Sequence, residues 1–441
     1  MNILFILPEY YPHSGGGIST YYDQYIRALQ PYCNKIKVIV GSGYTHADNA
    51  FEHNGISVEY LKPALYQKYL NKFKLYDLLP DFKRDIAAAW AMWEQARQGD
   101  GFDLIECTDF SLGFIPWVVD HAKPVITRLH GSAGQISLHE PGIPADLSAS
   151  FFQQTEFLLL PKCDQLISHS EANRQFWNNS FNLNKVVKVN AVYTDVYEPL
   201  PLSQRESFGL VTARLQRWKG PVELCKAYRL LKDTPPIKWI GRDTVYEKGI
   251  TTGSYLKQNF SDIWGNHIIY HPPVPRAQLL QLQQKAKFGL VPSTWDMFNF
   301  TCVEFMAAGI PAICSDGAGA ADLVQHNKNG FKYAGDDIQA LANCLETINN
   351  LTGQDYNRIA GAALETIKTE LSPGNVMPVN LELYQTTIST FKPIPSNAYF
   401  DALYKPSDQN HPISSILNKQ SLKKLTKYYA DRIRSKLLGK T

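Results

Sequence analysis

The chain has 441 residues, 44% of them hydrophobic, 12% aromatic and 19% charged, more than one hydrophobic core organises comfortably, which points to two or three domains. Its net charge is +3, but residues 419–441 hold eight Lys/Arg and one Asp, a net +7, so the remainder is about −4 and is excluded as a nucleic-acid surface. Seven cysteines stand singly with no Cys-x-x-Cys pair, which argues against a disulfide framework and a structural zinc site and for a reducing, cytoplasmic setting.

No apolar run reaches the ~18 residues needed to span a bilayer. The N-terminal run Ile3–Leu7 lacks a basic segment before it and reads as a buried strand, not a signal peptide. Three glycines, Gly15, Gly16 and Gly17, then open a helix over Ile18–Leu29. Such a loop lets backbone N–H groups approach an anion at a helix N-terminus; it reads equally as a plain tight turn. It is not Gly-x-Gly-x-x-Gly, and no acidic residue ends the second strand, which disfavours a dinucleotide site. Further strands are expected at Ile36–Val40, Leu104–Cys107, Val125–Leu129, Gln165–His169 and Val186–Asn190. Between them, residues 66–93 interleave aromatics with Lys and Arg, a pattern that suits an acceptor surface or an amphipathic helix packed on its own domain.

After the Pro-bearing stretch Glu198–Ser203 the pattern restarts, with strands at Phe208–Thr212, Ile237–Ile240, His267–Tyr270, Phe288–Val291 and Ala312–Cys314 and helices at Val222–Leu231 and Arg276–Lys285. Alternation of this kind predicts parallel sheets with helices on both faces, and the restart predicts two α/β, doubly wound, Rossmann-like domains facing across a cleft. Ligands of such sheets sit beyond the C-terminal strand ends. There the second half places Arg214 and Lys219, cations suited to a diphosphate or to plain solvation. It also places Asp296 after the Phe288–Val291 strand, then a helix opening over Phe298, Asn299, Phe300 and Thr301 and carrying Glu304 on an apolar face. Free amides at that helix start suit a phosphate, and Glu304 needs donors: ribose hydroxyls or a core Arg. The tail places Leu422, Leu425, Tyr429, Ile433 and Leu437 at near-helical spacing among lysines and arginines, a basic amphipathic helix for residues 412–441 that suits an anionic membrane or a partner.

Together, Gly15–Gly17, Arg214 with Lys219, and Asp296-x7-Glu304-x4-Gly309-x-Pro311 resemble the retaining GT-B glycosyltransferases of family 4, the group 1 glycosyltransferases, with looser matches at Thr127–Gly131, Ser168–Ala172, Val189-Asn190 and Ile240-Gly241. The resemblance covers residues 1 to about 385; with the tail's own pattern it leads to the expectation of a cytoplasmic enzyme, peripheral on the inner membrane face. It would move a sugar from a UDP- or GDP-linked donor to a glycan or lipid-linked acceptor in surface polysaccharide or glycolipid assembly. Configuration would be retained, with no cofactor and no metal. It further implies that Arg214 and Lys219 hold the diphosphate, that Glu304 binds ribose and that Asp296 and His130 lie by the sugar. Gly241, the Gly15–Gly17 loop and the amides of Phe298 to Thr301 complete the donor site. The implied division is an acceptor-side domain over 1–198, a nucleotide-sugar domain over 203–375, a crossover at 376–395 and the basic tail at 396–441. Departures from the pattern are Asp296 where Glu is usual, Tyr193 in the linker and Ala213 for Gly. The alternatives are another GT-B enzyme, an epimerase or phosphorylase, and a non-catalytic glycan-binding subunit.

Overall fold

Two parallel sheets form the molecule's frame in the computed structural model, which describes residues 1–13, 16–140, 147–247, 249–407 and 420–438. The first contains β1 (Asn2–Leu7), β2 (Lys35–Val40), β3 (Ala50–His53), β4 (Ile56–Tyr60), β5 (Leu104–Thr108), β6 (Val125–Leu129), β7 (Gln165–Ser168) and β8 (Val186–Lys188). Their order is β3-β4-β2-β1-β5-β6-β7-β8, and only β3 runs antiparallel to its neighbour. β5 and β6 are buried along their whole length, as expected of strands covered on both faces.

The second sheet begins with β9 (Glu206–Thr212) and β10 (Ile237–Ile240). A hairpin of β11 (Val245–Glu247) and β12 (Ile250–Thr251) follows, then β13 (Ile268–His271), β14 (Ala286–Val291), β15 (Ala312–Ser315) and β16 (Phe331–Tyr333). The parallel order is β13-β10-β9-β14-β15-β16. Strand order reverses between β1 and β5 in one sheet and between β9 and β14 in the other, which puts the crevice of each at those points. All eleven strands expected from apolar runs are present. The unexpected ones, β3, β4, β11, β12 and β16, are two to five residues long, and the first four lie at an edge or in a hairpin, where apolar pattern is weakest.

The helices that bear on the cleft are α1 (Gly17–Leu29), α2 (Ala133–His139), α3 (Arg276–Lys285) and α4 (Phe300–Ala307). The C-terminal segment is α5 (Pro373–Thr390), α6 (Ala398–Tyr404) and α7 (Leu422–Leu437). Helix α5 carries the chain back to the first domain, starting three residues before the expected crossover. It is held by a buried network: Arg128 on β6 donates to Glu106 on β5 at 2.8 and 3.1 Å and to Asn380 of α5 at 3.1 Å. Tyr22 of α1 donates to Glu106 at 2.9 Å, Tyr25 meets Tyr384 of α5 at 2.6 Å, and Tyr384 also donates to Glu106.

One expectation is corrected, and one pair of alternatives is decided. The tail does not begin at residue 396, because α6 docks on the first domain: Trp90 donates to the Tyr404 carbonyl at 2.7 Å, Tyr76 donates to the Leu403 carbonyl at 2.5 Å, and the Ile394 amide donates to His121 at 3.0 Å. Of the two readings of residues 66–93, the structure realises the helix packed on its own domain: Tyr66, Tyr69, Phe73, Tyr76, Phe82 and Trp90 are all buried in one core cluster, since a ring gains more from burial than from display. Helix α7 buries no residue. Among the described residues no helix is long and apolar enough to cross a membrane.

Candidate active site

The C-terminal ends of β9, β10 and β14 meet those of β1, β6 and β7 across the cleft. On the second-domain side, the loop after β9 carries Arg214 and Lys219 and closes at Gly220. There φ is +74°, and a Cβ would lie 1.8 Å from the Pro292 carbonyl oxygen, so only glycine lets this loop press onto the end of β14. The Arg214 guanidinium is exposed and makes no hydrogen bond or ion pair among the described residues. Its pKa is held below the usual arginine value, by burial first and then by Arg242. Lys219 is not free: its Nζ lies 2.5 Å from Asp296 Oδ2, an ion pair nearly closed to solvent. Burial lowers the Lys219 pKa, and Asp296 opposes that. Asn299 donates to the same oxygen at 2.7 Å, which leaves Asp296 Oδ1 without a hydrogen bond among the described residues.

Helix α4 begins where β14 points. Asn299, at φ 80°, accepts from the Cys302 amide and caps the helix. The amides of Phe300 and Thr301, its first two residues, have no protein acceptor among the described residues, and Thr301 Oγ1 donates to the Thr212 carbonyl at 3.0 Å, tying the helix start to the end of β9. One turn on, Glu304 is buried with its pKa raised by desolvation. Gln283 donates to it at 2.9 Å and Arg276 pairs with it at 3.5 Å, both from α3. The core-Arg alternative is thus half realised: the partner is a cation at the rim, which also faces Asp195 of the linker at 3.8 Å and Tyr11 of the first domain.

The first-domain side has a different character. His130, just past β6, has its backbone amide on Asp109 at 2.8 Å, and the Gly131 amide meets the other Asp109 oxygen at 3.1 Å. The His130 ring packs against Tyr21, Tyr22 and His169 with centroids 5.0 to 5.5 Å apart, and its Nε2 is buried with no hydrogen-bond partner. Burial, then His169 and Arg128, push its pKa well below the ordinary histidine value, so the ring is neutral. His169 is pushed to about 3 by burial first. Its Nδ1 donates to the Val189 carbonyl at 2.9 Å, which fixes Nε2 as an unprotonated acceptor, also unpartnered. Phe298 and Phe300 meet His169 and Tyr21 across the cleft, which brings these four residues into one aromatic seam.

Gly15 lies outside the described residues. Gly16 and Gly17 begin α1, and a carboxylate already lies there: Glu9 accepts from the Ser19 amide at 3.1 Å, and a Cβ on Gly16 would fall 2.1 Å from its Oε1. Gly241 follows β10, where a Cβ would strike the Ala213 carbonyl oxygen at 1.9 Å; its place is explained by strand-end packing. Glu9 and Arg242 were not singled out from sequence. Both had a usable signal, each following directly on a strand end.

Residues 197–363 match the family model described as glycosyl transferases group 1. The chain is 25% identical over 319 residues to a D-inositol 3-phosphate glycosyltransferase of Thermobifida fusca, covering 67% of this chain and 71% of that one. Its fold is similar to that of Anabaena Alr3699/HepE, solved with UDP and with UDP-glucose, at TM-score 0.62 and 20% identity over 88% of this chain and all of the other. It is also similar to sucrose-phosphate synthase of Thermosynechococcus elongatus, at TM-score 0.66 and 16% identity over 89% of this chain and all of the other. The fold is the two-domain GT-B architecture.

Proposed function

We propose, from the premise that residues 197–363 form a group 1 glycosyltransferase domain on a GT-B fold, that this protein transfers a sugar from a nucleoside diphosphate to a glycan or lipid-linked acceptor with retention of configuration and without a metal. The carrying observation is the convergence at one strand-end crevice of an unpaired Arg214, two free amides opening α4, an Asp296 with one free oxygen and a buried Glu304. A nucleotide sugar supplies what each lacks. Its diphosphate takes Arg214 and the α4 amides, its ribose hydroxyls donate to Glu304, and its sugar hydroxyls reach Asp296 Oδ1.

As the C1–O bond to the diphosphate breaks, negative charge grows on the leaving group, and a preorganised guanidinium and helix terminus stabilise it most at that moment. The acceptor oxygen bonds to C1, and its proton passes to the departing diphosphate oxygen. Lys219, paired with Asp296, acts in this reading by fixing the sugar-binding carboxylate as well as by its charge. His130 and His169, held neutral, present unprotonated or neutral nitrogens to sugar hydroxyls and no competing charge. Closure of the cleft would exclude water from the reacting carbon.

We further assign the exposed α7, with Leu422, Tyr429, Ile433 and Leu437 among its cations, to an anionic membrane surface, in keeping with a lipid-linked acceptor. A thermal-shift screen against UDP, GDP, ADP and their sugars tests the donor. A ligand at 100 times its Kd adds ~2.7 kcal/mol, whereas no shift with any nucleotide overturns the reading. For the tail, deleting residues 412–441 should release the protein from anionic liposomes; unchanged binding removes that assignment.

A further inference from the structure

The ends of β9 and β10 continue side by side past the last residues of the strands. Thr212 is in register with Ile240, and Leu215 pairs with Asp243 at the same offset, so Arg214 stands opposite Arg242. The Ala213 amide donates to the Ile240 carbonyl at 3.0 Å and the Leu215 amide to the Arg242 carbonyl at 2.9 Å, which fixes that register through backbone alone. Residues in register on adjacent parallel chains lie about 5 Å apart and project to the same side. Two like charges are thereby held together, and Arg242 is the leading charged influence on Arg214.

Four cations stand on these two strand-end segments. Lys219 is taken by Asp296. Arg217 lies 3.6 Å from the centre of the Tyr246 ring and faces Glu247 at 3.9 Å. Arg214 and Arg242 alone among the four have no hydrogen bond, ion pair or aromatic partner among the described residues, and both are exposed. The free pair is therefore not the Arg214 and Lys219 that sequence pairs. It adjoins the open amides of α4, which Thr301 ties to the end of β9. Paired guanidiniums beside a helix N-terminus match an anion with two adjacent charged groups.

We infer that Arg242 is the second diphosphate-binding cation of the donor site, taking one phosphate group while Arg214 takes the other. The inference rests on the donor reading given under Proposed function. It assigns Arg242 as a positioning and charge-stabilising residue, and it leaves Lys219 chiefly to hold Asp296.

Isothermal titration of the wild type, Arg242→Ala and Arg242→Lys with UDP and UMP, GDP and GMP, ADP and AMP, and glucose 6-phosphate tests it. For the base that binds, Arg242→Ala should weaken the diphosphate roughly tenfold and the monophosphate no more than about twofold, and Arg242→Lys should recover part of the loss as a point charge without the fork. Only the Arg242 carbonyl holds the loop, so the fold is expected to survive both changes, checked by thermal melting. Unchanged diphosphate affinity in Arg242→Ala overturns the assignment. So does a loss confined to glucose 6-phosphate, which would give the pair to a phosphorylated acceptor. A wild type that binds no nucleoside diphosphate removes the donor reading itself, an outcome distinct from either.

Discussion

The two walls of the cleft solve the problem of holding polar groups in opposite ways. The second-domain wall keeps its charges: Arg214 and Arg242 free, Lys219 on Asp296, and Arg276 on Glu304. The first-domain wall suppresses them. His130 and His169 are held neutral by burial, and Asp109 and Glu156, buried and spending their oxygens on the backbone amides of residues 130–131 and 133–134, are pushed up to about 7 and about 8. Desolvation is the largest cause in all four. On the proposed function, a charged wall would suit a diphosphate that leaves as an anion. A neutral, backbone-braced wall suits sugar hydroxyls, which need direction and not charge.

The largest expected effect separates structure from chemistry on the neutral wall. Arg128→Ala leaves Glu106 buried without its cation and unpins α5, so it should cost ~3–5 kcal/mol of stability in denaturant unfolding. A loss under 1 kcal/mol would mean the network does not hold the crossover. Next, on the charged wall, Arg214→Ala should lower kcat/KM by about 10²- to 10³-fold, equivalent to ~2.7–4 kcal/mol, with an unchanged melting temperature. Near wild-type turnover would break the comparison at its main point.

Within that wall, Glu304→Ala and Asp296→Ala divide binding from turnover. On the proposed donor reading, Glu304→Ala should weaken nucleotide binding by roughly tenfold, and Asp296→Ala should fall mainly on kcat, because that reading gives its free oxygen to the sugar and not to the nucleoside. Equal nucleotide affinities in the two variants would refute the division.

The smallest effect is in pH. Asp109 and Glu156 titrate near 7 and 8 when folded and near 4 when unfolded. At these two groups the folded protein binds more protons, which costs stability as pH rises; His130 and His169, held neutral in the fold, act in the opposite sense below about 6.5, so the decline stands alone between about 7 and about 8. The melting temperature should fall from pH 7 to pH 8.5, and Glu156→Gln should flatten that slope; an unaltered slope removes Glu156 as a cause.

How much was legible follows the same division. Arg214, Asp296 and Glu304 could be read because each sits at a fixed spacing from a strong apolar strand or helix, and the structure brings them to one crevice. Lys219 was read as a free cation and is an ion-pair partner, because spacing reports which residues share a loop but not which of them meet. Arg242 went unread for the complementary reason: it is 28 residues from Arg214 in the chain and becomes its neighbour only when β10 pairs with β9.

The sequence by itself determined the alternation of elements, the two-domain division and most of the charged wall, since periodicity and glycine placement are local properties. Tertiary structure alone decided that the rings Tyr66, Tyr69, Phe73, Tyr76, Phe82 and Trp90 are core, that α6 belongs to the first domain, that Glu9 lies on the start of α1 and that His130 and His169 are neutral. Each of those outcomes depends on what surrounds a side chain after distant segments pack, and burial sets both the pKa of an imidazole and the fate of an aromatic ring.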